Sequence, residues 1–206
     1  MIPLDTVLGV IDTVGVVAFA ASGALAAARQ RMDVVGFILI ALITGLGGGT
    51  LRDLLLGRLP LFWLRAPGLL AMIAVVAVLV FVAAPRFRLG ARMLIWADAL
   101  GLALYAVLGA EIALLAGADP WAAMLLGVVS ASFGGIMRDV VCNEVPLLLT
   151  REIYLLAALA GAACFVMLRL SGVWREHAVL AGMCLAFGIR AAAIRFGWSL
   201  PPYRER

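Results

Sequence analysis

Lysine is absent from this chain, and all 16 basic residues are arginine. Without a Gly-Lys-Ser/Thr sequence, the run Gly47-Gly48-Gly49 cannot be a phosphate-binding loop. Histidine occurs once, as His177 at an expected helix start, where a structural role is the ordinary reading, and the sequence shows neither a Ser/His/Asp arrangement nor a metal-ligating constellation. Cysteine occurs three times. Cys142, Cys164 and Cys184 lie in apolar stretches, are odd in number and lack metal-ligand spacing, so they are read as core residues rather than a disulfide framework. No cofactor and no enzyme activity are expected. Charge is scarce as well, at 14% of residues. The arginines sit singly between apolar runs rather than in a block, so a pI near 9.5 does not point to nucleic acid. Their ordinary role is to anchor helix ends at a membrane interface.

What fills the chain instead is hydrophobic sequence, 66% of it, with a mean hydropathy of +1.14. That composition belongs to an integral membrane protein. The first apolar segment, Ile2 to Ala28, has no basic leader and carries Asp5 and Asp12, so it reads as a retained helix rather than a signal peptide.

The chain also repeats itself. Leu46-Gly47-Gly48-Gly49-Thr50-Leu51-Arg52-Asp53, running on to Pro60-Leu61, returns eighty-six positions later as Ser132-Phe133-Gly134-Gly135-Ile136-Met137-Arg138-Asp139 and Pro146-Leu147. The same shift relates Asp12 to Asp98, Gly15 to Gly101, Gly23 to Gly109, Asp33 to Asp119 and Arg65 to Arg151 without a gap. Each unit has room for three spans of about 20 residues, an odd number, so the second unit enters the bilayer inverted.

Hydropathy predicts seven helices, at 4 to 28, 33 to 56, 66 to 84, 93 to 116, 120 to 142, 151 to 170 and 178 to 197. The fold class expected is therefore an all-α single transmembrane domain over 1–206, with repeat one at 4–84, repeat two at 93–170 and a seventh helix after them. Arg29, Arg31, Arg86, Arg88, Arg92, Arg138, Arg151, Arg190, Arg195, Arg204 and Arg206 fall on one side of this arrangement, against Arg52, Arg58, Arg65, Arg169 and Arg175 on the other. The positive-inside rule then places the N-terminus outside and the C-terminus in the cytoplasm, in a cell inner (plasma) membrane.

Asp33 and the pair Asp119-Pro120 are N-terminal signals for the second and fifth spans, and Gly57 and Asn143 occupy the matching left-handed C-terminal positions. Inside these two spans lie the glycine clusters. A glycine costs about 1 kcal/mol relative to alanine in a helix interior, so a cluster recurring in two inverted copies predicts a kink or unwound turn rather than simple small-residue packing. Gly47, Gly48, Gly49, Gly134 and Gly135 are the expected hinge residues, and Thr44, Thr50, Ser130 and Ser132 stand beside them where they could line a pathway.

Arg52 and Arg138 each lie about 28 Å along their helices from Asp33 and Asp119, near opposite interfaces. Adjacent helical side chains diverge, so Arg52 and Asp53 are not expected to pair with each other. Asp12 and Asp98 fall in the same leaflets as Arg52 and Arg138. A carboxylate at that depth costs about 2.5 to 3.5 kcal/mol, which an ion pair with the arginine would offset and an aqueous cation path would relieve. Both roles fit the sequence.

The residues Gly47 through Arg58, Pro60 and Phe62-Trp63, with Gly134 through Val140, Asn143-Glu144 and Pro146, resemble the prokaryotic members of the TRIC family, the trimeric intracellular cation channels. The resemblance runs from about Asp12 to the seventh span. It implies two inverted three-helix repeats plus one helix, a homotrimer embedded in membrane lipid, and in each protomer a pore for monovalent cations, potassium and also sodium, lined by the glycine-kinked second and fifth helices. Two departures stand out. The animal members carry a lysine motif in the fifth span that this chain lacks, and Phe133 stands where the first repeat has Gly47, so its ring is expected to tighten or plug the second break. Bacterial relatives are also assigned as glycine carriers, and a small amino-acid transporter is the alternative. The glycine clusters would then hold the zwitterion, with Asp12 or Asp98 on its ammonium.

Overall fold

Eight α-helices make up the computed structural model, which describes residues 4–87, 90–149 and 153–199. They are α1 (Leu4–Arg29), α2 (Val34–Leu55), the single-turn α3 (Phe62–Arg65), α4 (Gly68–Phe87), α5 (Ala91–Leu115), α6 (Pro120–Val141), α7 (Leu155–Leu170) and α8 (Arg175–Phe196), with no strand among the described residues. Six of them are long and apolar enough to cross a membrane, and α7, at 16 residues, is shorter. The chain is a multi-pass integral membrane protein. Arg88, Arg151, Arg204 and Arg206, which enter the charge count above, lie outside the described residues.

Local chemistry sets the ends of the two glycine-bearing helices identically. The Asp33 carboxylate accepts the Gly36 N–H at 2.8 Å, and that of Asp119 accepts the Trp121 N–H at 2.9 Å, each satisfying an amide that the first helical turn leaves unpaired. At the far ends Gly57 (φ 63°) and Asn143 (φ 53°) adopt the left-handed conformation. The next amides, Arg58 and Glu144, donate back to the Asp53 and Asp139 carbonyls at 2.8 Å, which completes a Schellman stop in both. Helix α4 outruns its expected end at 84 and continues through Pro85. A proline so near a terminus forfeits one hydrogen bond and leaves the rest of the helix intact.

Helices α1, α2, α5 and α6 form the centre, and glycine lets them approach. A Cβ on Gly48 would lie 2.0 Å from the Ser130 carbonyl oxygen, and one on Gly134 would lie 2.2 Å from that of Thr44. These contacts exchange under the eighty-six-residue shift, since Thr44 maps to Ser130 and Gly48 to Gly134. The α1–α5 contact behaves alike: Gly15 seats the Tyr105 ring, Gly101 seats the Phe19 ring, and the two rings meet at 5.5 Å between centroids. The expected unwinding is corrected here. Helices α2 and α6 are helical throughout, and the glycines serve the crossing, because backbone-to-backbone contact leaves no room for a Cβ.

Helix α4 flanks α1 and α2, and its Val75, Val78, Leu79, Phe81 and Val82 are exposed, as suits a lipid-facing surface. Helices α7 and α8 pack together against α5 on the other side.

Candidate functional site

Two charge clusters flank the α2–α6 crossing, one toward each end of the bundle. Both are organised by the Arg-Asp dipeptide in the last turns before the Schellman stop.

In the first cluster Arg52 and Asp53 are buried and do pair, with Arg52 Nε and Nη2 donating to Asp53 Oδ1 at 2.9 and 2.7 Å. This corrects the expectation that neighbouring side chains diverge. The guanidinium sits on a long, flexible stem, and both residues are turned to the protein interior, where an unpaired carboxylate would be costly. Asp53 Oδ2 also accepts the Phe62 N–H at 3.0 Å, tying the chain after α2 back onto the helix end, and the Arg52 guanidinium lies 5.7 Å from the Phe62 ring centre. Half-buried Asp12 takes no ion pair with Arg52. Its Oδ1 accepts the Tyr105 hydroxyl at 2.9 Å, and Arg52 Nη1 is buried without a hydrogen-bond partner.

The second cluster repeats the dipeptide and differs at the aspartate. Arg138 Nε donates to Asp139 Oδ1 at 2.8 Å, and Asp139 Oδ2 accepts the Leu147 N–H at 2.9 Å. Here, however, Arg138 Nη1 also reaches Asp98 Oδ1 at 2.6 Å and the Ser22 hydroxyl, with Arg138 and Asp98 wholly buried. Of the two roles open to the aspartates, Asp98 is in the ion pair and Asp12 is not.

The hydroxyls beside the glycines point mostly at their own helices. Thr44 donates to the Ile40 carbonyl at 2.6 Å, Thr50 to Leu46 at 2.7 Å and Ser132 to Val128 at 2.8 Å, while the buried Ser130 hydroxyl has no partner. Thr50 additionally accepts the Trp63 indole N–H at 3.1 Å. Gly47, Thr50, Trp63, Phe133 and Met137 line an apolar cavity of about 360 Å³ on the flank of the crossing. Gly49 faces the Phe62 ring, and Gly135 faces Asp98, Tyr154 and Arg138.

Several participants were not singled out from sequence. Tyr105 becomes visible only when the repeats are laid together and it falls opposite Phe19. Ser22 and Tyr154 carry no such signal. Glu111, at the end of α5, is buried and paired with Arg175 of α8. Arg190 is fully buried with its guanidinium 5.1 Å from the Tyr154 ring centre, where an interfacial position was expected. On the opposite end from Glu111, Arg29 and Gln30 bind Glu144 at 3.2 and 2.8 Å, joining the α1–α2 connection to the end of α6. Cys142, at that end, is buried as expected of a core cysteine, whereas Cys164 is half-buried and Cys184 is exposed, which corrects the core reading for Cys184. Among the described residues no group of three metal-ligating side chains occurs.

A family described as glycine transporter matches the chain twice, over residues 9–85 and 95–169. The crystal structure of a TRIC trimeric intracellular cation channel orthologue from Rhodobacter sphaeroides superimposes with a TM-score of 0.89 at 47% identity, covering 94% of this chain and 100% of that one. A second solved structure, from work on conductance through TRIC cation channels, gives 0.87 at 31% identity over 96% and 98% of the two chains. Among curated relatives, the UPF0126 inner membrane protein YadS of Escherichia coli K12 is 38% identical over 196 residues, 94% of each chain. The UPF0126 membrane protein of Vibrio cholerae is 37% identical over 202 residues, 97% of this chain and 84% of the relative.

Proposed function

We propose, from the premise that this chain belongs to the TRIC family, that it is a cation channel conducting monovalent cations, chiefly potassium, through a pathway within each protomer of a homotrimer. The observation that carries this is the match to a solved cation channel orthologue over nearly the whole of both chains at 47% identity. Function rides on sites rather than on fold, and this chain carries a charge cluster at each end of a glycine crossing. The reciprocal contacts of Gly48 with Ser130 and Gly134 with Thr44 support two three-helix repeats inverted about an axis in the membrane plane, α8 being the seventh span. The pathway runs beside α2 and α6, with any bend they make in conduction falling at Gly47–Gly49 and Gly134–Gly135. Asp12, Asp53, Asp98 and Asp139 supply negative potential along it, and Arg52 and Arg138 limit how many of these a cation meets unpaired.

The membrane is the inner one, with the N-terminus outside. Reporter fusions after residue 90 and at the C-terminus are expected to read cytoplasmic, and one near residue 118 periplasmic. A C-terminus found outside overturns the orientation and the odd number of spans together.

A second reading is favoured by one observation, the description of the matching family as glycine transporter. A carrier needs a pocket open to one side at a time, whereas a channel needs sites weak enough to release in a continuous path. Purified protein in planar bilayers is expected to show discrete, potassium-selective current steps that shrink when Asp12 is neutralised. Saturable glycine uptake into proteoliposomes without current steps would put the carrier in its place.

A further inference from the structure

The two clusters share the aspartate and the Arg-Asp dipeptide and differ in their hydroxyls, Tyr105 in the first and Ser22 and Tyr154 in the second. Under the eighty-six-residue shift Asp12 corresponds to Asp98, Arg52 to Arg138, Asp53 to Asp139, and Phe19 to Tyr105, the two rings that meet at a tilt across the α1–α5 contact. Where the ring is phenylalanine, the aspartate binds its arginine at 2.6 Å. Where the ring is tyrosine, the hydroxyl occupies the aspartate at 2.9 Å, and each arginine keeps one buried terminal nitrogen without a partner.

A carboxylate ordinarily prefers a charged donor to a neutral one, so something must hold the Asp12 pairing in place. The Tyr105 ring is itself fixed. It lies in the space left by the missing Cβ of Gly15, is 1% exposed, and packs on Phe19. The inner cluster does contain hydroxyls, from Ser22 on α1 and Tyr154 at the start of α7. Ser22 binds the arginine, and the Tyr154 hydroxyl stands beside Gly135 together with Asp98 without displacing Arg138.

We propose that the Tyr105 hydroxyl is a positioning group that holds Asp12 away from Arg52, keeping Asp12 out of an ion pair while Asp98 is in one, and that losing this bond lets Asp12 close onto Arg52. With Asp12 held by one oxygen only, the other is left for a passing cation. Paired with Arg52, the same carboxylate would be neutralised, and the outer half would copy the inner. The effect on flux rests on the channel reading, but the effect on pairing does not.

The test is Tyr105→Phe in the full-length protein, alone and in an Asp12→Asn background. Potassium flux is expected to fall about fivefold in the native background, the factor equivalent to one net hydrogen bond. In the Asp12→Asn background the same change should alter flux by less than about twofold, because the group it acts through is gone. An equal fall in both backgrounds overturns the proposal, since a merely structural tyrosine would behave that way. A structure of Tyr105→Phe is expected to show Asp12 bonded to Arg52, and an Asp12 still apart from Arg52 also overturns it. That readout holds even if the native protein passes no potassium, a result that would count against the channel instead. Should Tyr105→Phe not fold, Phe19→Tyr makes the reciprocal test: its structure is expected to show the new hydroxyl on Asp98 with the Arg138 bond lost, and an unaltered Asp98–Arg138 pair refutes the idea.

Discussion

Alanine at Gly48 or at Gly134 is expected to abolish recovery of folded protein from the membrane. One added methyl would sit 2.0 Å from the Ser130 carbonyl oxygen in the first case and 2.2 Å from the Thr44 carbonyl oxygen in the second, well inside contact distance. The obstructing atoms are backbone, so no rotamer change relieves them. The helices must separate, which removes the packing that associates α2 and α6 in an apolar solvent. Overpacking a tight contact costs about 1 to 3 kcal/mol, and a backbone clash at a central crossing belongs at or beyond the top of that range. Gly188→Ala in α8 is the control, since a Cβ there meets nothing within 4 Å and alanine favours the helix by up to about 1 kcal/mol. Yield of monodisperse protein after detergent extraction, followed by thermal denaturation, separates these outcomes. A Gly48→Ala protein of native yield and melting temperature would show that the crossing is not the tight contact described. Normal folding with lost flux would instead restore the hinge role first expected of these glycines.

Arg138→Leu is expected to be the most destabilising single charge removal in the chain. Arg138 binds Asp98, Asp139 and Ser22 at once in a site closed to solvent, so its loss leaves two buried carboxylates without their cation. Breaking such a pair from one side costs about 3 to 5 kcal/mol, because the remaining charge keeps its desolvation penalty. The double variant Arg138→Leu with Asp98→Leu should be more stable than Arg138→Leu alone, since it removes the stranded carboxylate along with its partner. Arg52→Leu is expected to cost less. Asp53 retains the Phe62 amide, and Asp12 already relies on Tyr105. Melting temperatures of the four proteins in one detergent decide the order, and an Arg138→Leu protein as stable as the Arg52→Leu one would refute the account.

The elements that could be read along the chain were those set by short-range chemistry. Asp33, Asp119-Pro120, Gly57 and Asn143 end α2 and α6 because caps and left-handed turns involve residues within a few positions of each other. The expected helices, placed by hydropathy, fall within four residues of those observed. Only α3 and the short turn at Leu147–Leu149 were absent from the expectation, being too brief to carry a hydropathy signal. The functional positions were found with less success. Arg52, Asp53, Asp98, Arg138 and Asp139 were located by their depth and repetition, yet their partners were misread. The rule that adjacent side chains diverge describes an exposed helix, where solvent serves each group separately. In the buried ends of α2 and α6 the carboxylate has few donors to choose from, and the neighbouring guanidinium can bend to reach it.

Composition and periodicity alone established a membrane protein of repeated apolar helices, because burial in lipid constrains every span independently of what it packs against. The shift of eighty-six residues likewise named the pairs of equivalent positions before any helix was placed. Which equivalent positions behave equivalently was decided only in three dimensions. Glycine in a helix is compatible with a hinge or a close approach, and the close approach is made by the carbonyls of Ser130 and Thr44, which arrive from a different helix. Asp12 and Asp98 carry the same charge at related depths, but one meets the hydroxyl of Tyr105 and the other the guanidinium of Arg138. Those partners lie forty or more positions away in the chain, and an interaction between such groups exists only once the helices that bear them have packed.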